Sequence, residues 1–232
     1  QSGFDIINGP TWSIGYLFGY SDGSFRLHIA IHHLLIDTVS WRILVRDLEL
    51  IYNSLLNEKE LSLGSKGTSY RQWVNLIHQY APFYKNEDSY WHEVIGDFST
   101  NNTIEKQFEI IEHPSLSTIS VDEETTNALL YKITKIVNTQ VVEVLLTALG
   151  ITLNNYTQQN VHHITLEGHG REDIYDNVDI TDTVGWFTTM YPFRLEVYNS
   201  KNGISNLKLI KENLKSIPNK GVGDRKSTRL NS

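Results

Sequence analysis

The 232-residue sequence has no cysteine, which excludes disulfide frameworks and thiolate metal sites. It leaves the redox compartment open. No apolar run reaches the roughly 18–20 residues of a membrane span. There is no basic excess either. The formal net charge is −7, which argues against a nucleic-acid surface. The start, Gln1-Ser2-Gly3-Phe4, has neither an initiator Met nor a charged region followed by an apolar one. It does not read as a signal peptide, and the chain is expected to begin inside a longer protein. There is no internal repeat. What is present is ordinary for a globular protein: 40% apolar and 20% charged residues, enough for a sizeable core.

The last nine residues, 224–232, hold three basic residues and one acidic one, without periodicity. They resemble a translated sequencing adapter, and they are set aside as a non-native tail. The rest of the chain then carries a net charge near −9.

Phe25, Leu27, Ile29, Ile31 and His33 alternate with Arg26, His28, Ala30 and His32. This period of two predicts a strand ending on the histidine pair. A turn with Asp37 follows. Ser40 is placed as a helix cap, and Trp41, Leu44, Val45, Leu48, Tyr52 and Leu55 predict an inward helix face over 41–56. Ser69-Tyr70-Arg71-Gln72 fits a capping box opening another helix. Further helices are expected at 87–95, 122–137, 139–156 and 205–216, and strands at 108–111, 117–121, 161–167 and 186–197. Leu129, Leu130, Ile133 and Val137 should face inward. Mixed helices and strands without a strict alternation predict an α/β or α+β sandwich.

The histidine pair invites several chemistries. On a strand, His32 and His33 point to opposite faces and cannot share one metal ion. Ser40 lacks the Gly-x-Ser-x-Gly setting of a nucleophile. General acid–base work remains, with one histidine facing inward and able to exchange a proton near neutral pH. On spacing alone, plain strand-end histidines are the favoured reading.

His32-His33-Leu34-Leu35-Ile36-Asp37-Thr38-Val39-Ser40-Trp41 resembles the active-site motif of epimerization domains in nonribosomal peptide synthetases. Condensation domains usually have Gly where Thr38 stands. Later stretches resemble the same family in order: Glu143 to Gly150, with Glu143 in place of the usual Asp; Glu167-Gly168-His169-Gly170-Arg171-Glu172; Thr183-Val184-Gly185-Trp186-Phe187 through Tyr191-Pro192; and Pro218 to Gly223. Asp182 stands where the family usually has Arg, which puts a charge contact there in doubt.

The resemblance implies a chloramphenicol-acetyltransferase-like two-lobed fold, incomplete here. Residues 1–100 are expected in the first lobe, 101–223 in the second and 224–232 in the tail. It implies an isomerase that inverts Cα of an aminoacyl or peptidyl thioester. The substrate rides on the 4'-phosphopantetheine arm of an upstream peptidyl carrier protein. No cofactor is expected in the domain itself, and no metal. Neighbouring synthetase modules are the implied partners, without nucleic acid or membrane, in the cytoplasm. His33 and Glu167 are the implied catalytic pair. Glu167 needs burial or a nearby charge to act as an acid near neutral pH, and a salt-bridged strand-end carboxylate is the plain alternative. Asp37 is assigned a structural role, with a pair to Arg171. His32, Ser40 and Trp41 are supporting residues. His169, between glycines that demand a tight turn, either lines the channel or is exposed. Trp186 and Tyr191 are expected to pack. The alternatives are a condensation domain using the same second histidine and a non-catalytic carrier-protein docking module. The isolated chain is expected to be inactive and poorly soluble.

Overall fold

The computed structural model describes residues 3–80, 87–98, 118–198 and 202–222. The chain divides into two compact units. One comprises residues 1–82 and 168–189; the other comprises 83–167 and 190–232. The strand expected at 108–111, the end of the last motif at Gly223 and the tail 224–232 lie outside the described residues.

In the first unit, β1 (Trp12–Leu17) pairs antiparallel with β2 (Arg26–Ile31), setting Ile14 opposite Ile29 and Tyr16 opposite Leu27. β1 was not anticipated, although Trp12, Ile14 and Tyr16 alternate. Directly opposed residues share a sheet face, so one face is apolar, and Trp12, Ile14, Tyr16 and Leu27 on it are more than half exposed. Helix α1 (Thr38–Leu56) follows, then α2 (Tyr70–Tyr80). The Ser69–Gln72 capping box is present. The Ser69 N–H donates to Gln72 Oε1 (2.8 Å), and the Gln72 N–H donates to Ser69 Oγ (3.3 Å). The core of this unit gathers Trp73, Ile180 and Phe187, with Tyr70, Ile77, Ile174 and Val178 against them.

The face expected to bury α1 does not do so. Val45, Tyr52 and Leu55 are largely exposed, and Leu48 is exposed as well; Ser40, Ile43 and Ser54 are the buried positions. The apolar spacing gave the helix correctly but chose the wrong stripe. The N-terminal turn is held by a polar cluster, and that cluster sets which side faces in.

The second unit holds α3 (Asp88–Ile95), then α4 (Glu123–Asn127). Asp122 caps α4 through its carboxylate, which accepts from the Thr125 N–H at 2.7 Å. The run continues through a π-helical stretch, Ala128–Ile133, into α5 (Thr134–Ile136). Leu130 and Ile133, expected inward, are exposed here, while Leu129 and Val137 are half-buried. Residues 118–121, expected as strand, have no regular structure. Helix α6 (Val141–Thr157) packs against α7 (Gly203–Ser216), and β3 (Val161–Gly168) pairs with β4 (Thr189–Glu196). Their core is Trp91, Leu146, Tyr191, Phe193, Leu195, Val197, Ile210 and Ile217. Each such burial contributes about 1.5–3 kcal/mol. Glu143, the motif residue of α6, is buried. Its carboxylate accepts from the Gln140 N–H (2.8 Å) and the Thr139 hydroxyl, so it closes the helix start. No single helix among the described residues is long and apolar enough to cross a membrane.

Candidate active site

β2 stops at Ile31, so the histidine pair leaves the strand. His32 caps a short 3-10 turn, His33–Leu35, with its Nδ1 accepting from the Leu34 N–H at 3.1 Å. Its ring meets Phe4 edge-on, centroids 5.9 Å apart, which gives it a positioning and packing role. The opposite-face argument, built on a strand, does not apply to the pair. His33 is exposed rather than inward. Its imidazole meets the Trp186 indole edge to face, with centroids 5.7 Å apart and planes at 72°. Its ring nitrogens make no hydrogen bond among the described residues.

Asp37, rather than Ser40, caps α1: Asp37 Oδ1 accepts from the Ser40 N–H at 2.7 Å. Ser40 is free for a longer reach. Its hydroxyl donates to the Gly185 carbonyl (2.9 Å) and accepts from the Gly185 N–H (3.0 Å) and from Arg171 Nη2 (2.9 Å). Sequence spacing favoured the serine as cap because both residue types cap well; only the fold shows which of them has a distant partner. Trp41, its neighbour, is half-buried on α1.

Arg171 is the centre of this cluster. It is buried, with Nη2 3.3 Å from Asp37 Oδ1, and Nη1 donates to the carbonyls of Ile180 (2.7 Å) and Thr183 (2.8 Å). Its guanidinium carbon lies 4.0 Å from the Phe187 ring centroid, a cation–π contact. The Phe187 N–H donates to Asp37 Oδ2 at 3.1 Å. Burial pushes the Asp37 carboxyl upward. The Ser40 and Phe187 hydrogen bonds and the Arg171 charge outweigh that, and the carboxyl ends below its ordinary value. These bonds also explain why strand β4 begins at Thr189 and not near Trp186: Gly185 and Phe187 spend their backbone groups on Ser40 and Asp37.

Gly170 has φ +67, and a Cβ there would lie 1.8 Å from the Phe187 carbonyl oxygen. The tight turn beside His169 therefore belongs to Gly170. His169 is exposed; its Nδ1 accepts from the Arg171 N–H (3.0 Å), and its Nε2 faces Glu172 at 3.3 Å. Asp182 does hold a charge contact, accepting from Arg46 Nη1 at 2.7 Å on an exposed surface.

Glu167 lies in the second unit, next to last in β3. It is exposed and makes no ion pair among the described residues, so the salt-bridged alternative does not hold. Tyr191 is buried in the second unit's core, its ring centroid 6.3 Å from that of Trp91. A nearby histidine had not been singled out. His163, its side chain buried on β3, lies with Nε2 3.0 Å from Asp97 Oδ1 and 2.9 Å from the Val94 carbonyl. Asp97 in turn accepts from Arg194. This is a part-buried polar brace, and a His-His dipeptide gives no sequence signal for it. No group of three or more His, Asp or Glu residues among the described positions could hold a metal ion.

Residues 1–226 match the family model for the condensation domain. The N-(5-amino-5-carboxypentanoyl)-L-cysteinyl-D-valine synthase of Penicillium rubens is 37% identical over 223 residues, covering 96% of this chain and 6% of that protein. The crystal structure of the epimerization domain from the third module of tyrocidine synthetase B matches with a TM-score of 0.75 at 31% identity, covering 95% of this chain and 50% of that one. The first condensation domain of the calcium-dependent antibiotic synthetase, in complex with a substrate analogue, gives a TM-score of 0.73 at 16% identity, covering 93% of this chain and 46% of that one. That second likeness shows a shared fold. The chain spans about half the length of these solved domains and a small part of the synthase.

Proposed function

Because this chain belongs to the condensation-domain family, we propose that it forms part of an epimerization domain in nonribosomal peptide synthesis. The domain would invert Cα of an aminoacyl or peptidyl thioester held on the 4'-phosphopantetheine arm of a carrier protein. One observation carries the reading. Thr38–Trp41 and Thr183–Phe187, two stretches with epimerization-type residues, interlock through Ser40 and Gly185. The 31% identity to a solved epimerization domain supports it, as does the D-valine in the name of the Penicillium rubens relative.

The chemistry needs two proton-exchanging groups. A thioester acidifies the adjacent Cα–H because the carbanion delocalises as an enolate. One group removes that proton, and another returns one to the opposite face, so no co-reactant is consumed. His33 and Glu167 take these roles in our reading. Each leaves its titrating atoms without a hydrogen-bond or ion-pair partner among the described residues. An upstream carrier protein and neighbouring synthetase modules are the proposed partners, in the cytoplasm.

The test loads a carrier protein with an L-aminoacyl thioester and follows the D/L ratio and Cα–H solvent exchange in the full-length domain. His33→Ala and Glu167→Ala should each slow inversion, read from the D/L ratio, by about 10²–10⁴-fold. Unchanged inversion in either variant removes that residue from the mechanism. Condensation is the second reading, favoured by the fold shared with the first condensation domain of the calcium-dependent antibiotic synthetase. Peptide-bond formation with a second loaded carrier, without Cα–H exchange, would establish it instead.

A further inference from the structure

Trp186 stands edge to face against His33, and the backbone around it is fixed at three consecutive residues. Gly185 exchanges two hydrogen bonds with the Ser40 hydroxyl, 2.9 and 3.0 Å. The Trp186 carbonyl accepts from the Tyr70 hydroxyl at 2.8 Å. The Phe187 N–H donates to Asp37 at 3.1 Å. The fit is close: a Cβ on Gly185 would lie 2.3 Å from the Tyr70 ring. Two of these anchors, Asp37 and Ser40, begin the helix that follows the His33 turn. The same cluster therefore sets both the turn that carries the imidazole and the segment that carries the indole.

The indole Nε1 is buried and has no hydrogen-bond partner among the described residues. A donor left in that state is unfavourable. A ring that only filled space would be better served by Phe, which has no N–H to leave unpaired. The placement of the ring comes from its backbone, and what the ring meets is His33.

We propose that Trp186 is a positioning residue: it fixes the plane and the position of the His33 imidazole and acts on turnover only through it. The inference rests on the reading of His33 as a proton-exchanging group. It goes beyond the expectation that Trp186 merely packs.

The experiment compares Trp186→Ala and Trp186→Phe with wild type in the full-length domain, using D/L inversion of a carrier-bound aminoacyl thioester. Misplacing the imidazole should lower kcat by about 10- to 100-fold in Trp186→Ala, with KM unchanged within about two-fold. Trp186→Phe should recover most of the loss. In parallel, histidine-labelled protein is followed by NMR, with the His33 ring signals assigned through His33→Gln. An indole edge to face with the imidazole imposes a ring-current shift, so these signals should move in both variants and further in the alanine one. Wild-type kcat in Trp186→Ala, a loss confined to KM, or unmoved His33 signals would each overturn the proposal. If the alanine variant does not fold, the His33 signals of Trp186→Phe decide: displacement supports the contact and coincidence with wild type rejects it. A wild-type domain with no inversion activity would reject the functional reading instead, while the NMR comparison would still test the contact.

Discussion

Arg171 and Asp37 stand 134 residues apart in sequence, yet in the first unit Arg171 Nη2 lies 3.3 Å from Asp37 Oδ1, with both side chains buried. A buried pair of this kind fixes arrangement more than it adds net stability. Here the arrangement is the start of α1, the His33 turn before it and the segment carrying Trp186.

Removing one partner leaves a buried charge uncompensated. Arg171→Ala should destabilise the first unit by about 3–5 kcal/mol. Arg171→Lys keeps the charge but loses the fork that reaches Asp37, Ser40, Ile180 and Thr183 together, so it should fall between. Urea midpoints for the three proteins, with melting temperatures as a second measure, check the order.

Ser40→Ala removes the hydroxyl shared by Gly185 and Arg171. The orphaned backbone groups of Gly185 are buried, so the expected loss is about 1–3 kcal/mol. If Ser40 acted mainly as a helix cap, Ser40→Asp would be harmless. In the arrangement found here it adds a second carboxylate beside Asp37 and should be worse than alanine. Denaturant titration of both variants separates the two roles.

Gly170→Ala should cost more than about 1 kcal/mol, because its positive φ disfavours any Cβ and the Phe187 carbonyl occupies the space a Cβ needs. The measurement is the unfolding midpoint, with Gly203→Ala as control, since a Cβ on Gly203 meets no neighbour within 4 Å.

Acid should act in two stages. Burial holds the His162 imidazole below its usual pKa, and the neighbouring His163 adds to this. The folded state therefore favours neutral His162, and its contribution is lost as pH falls from about 6.5 toward the lower folded value. The Asp37 carboxyl is also depressed in the folded state, against the upward push of its burial. Its contribution is present above about pH 4 and lost as pH falls through the folded value. Urea midpoints from pH 8 to pH 3 should show a first decline that His162→Gln reduces and a second that Asp37→Asn reduces, the rest of the second belonging to other carboxyls held low, such as Asp97 beside Arg194. The asparagine variant should also be less stable at neutral pH.

Much of the local structure was readable from pattern. The strand after Phe25, the helix expected over 41–56, the Ser69–Gln72 box, the start of a helix at Asp122 and the helix expected over 205–216 all follow from periodicity and short-range hydrogen bonding, which involve neighbours in sequence. The ordered motifs were equally readable as a family resemblance. The Asp37–Arg171 pair was expected and is found, but the division of roles between Asp37 and Ser40 was not readable. Asp37 and Ser40 are both good capping residues, and nothing within ten residues of them says which one turns to Gly185. The inward face of α1 was misjudged for the same reason, since a hydrophobic stripe predicts burial only where another element covers it.

The sequence by itself determined where most of the helices and the strand after Phe25 lie, that thiolate chemistry is absent, and which residues carry the motif. The tertiary structure alone decided that β2 ends before the histidines, that Asp37 caps while Ser40 reaches across, and that Trp186 meets His33. The physical reason is range. Periodicity and capping act over a few residues, whereas the bonds from Arg171 to Asp37 and Ser40 join positions more than a hundred residues apart and exist only once the chain has folded.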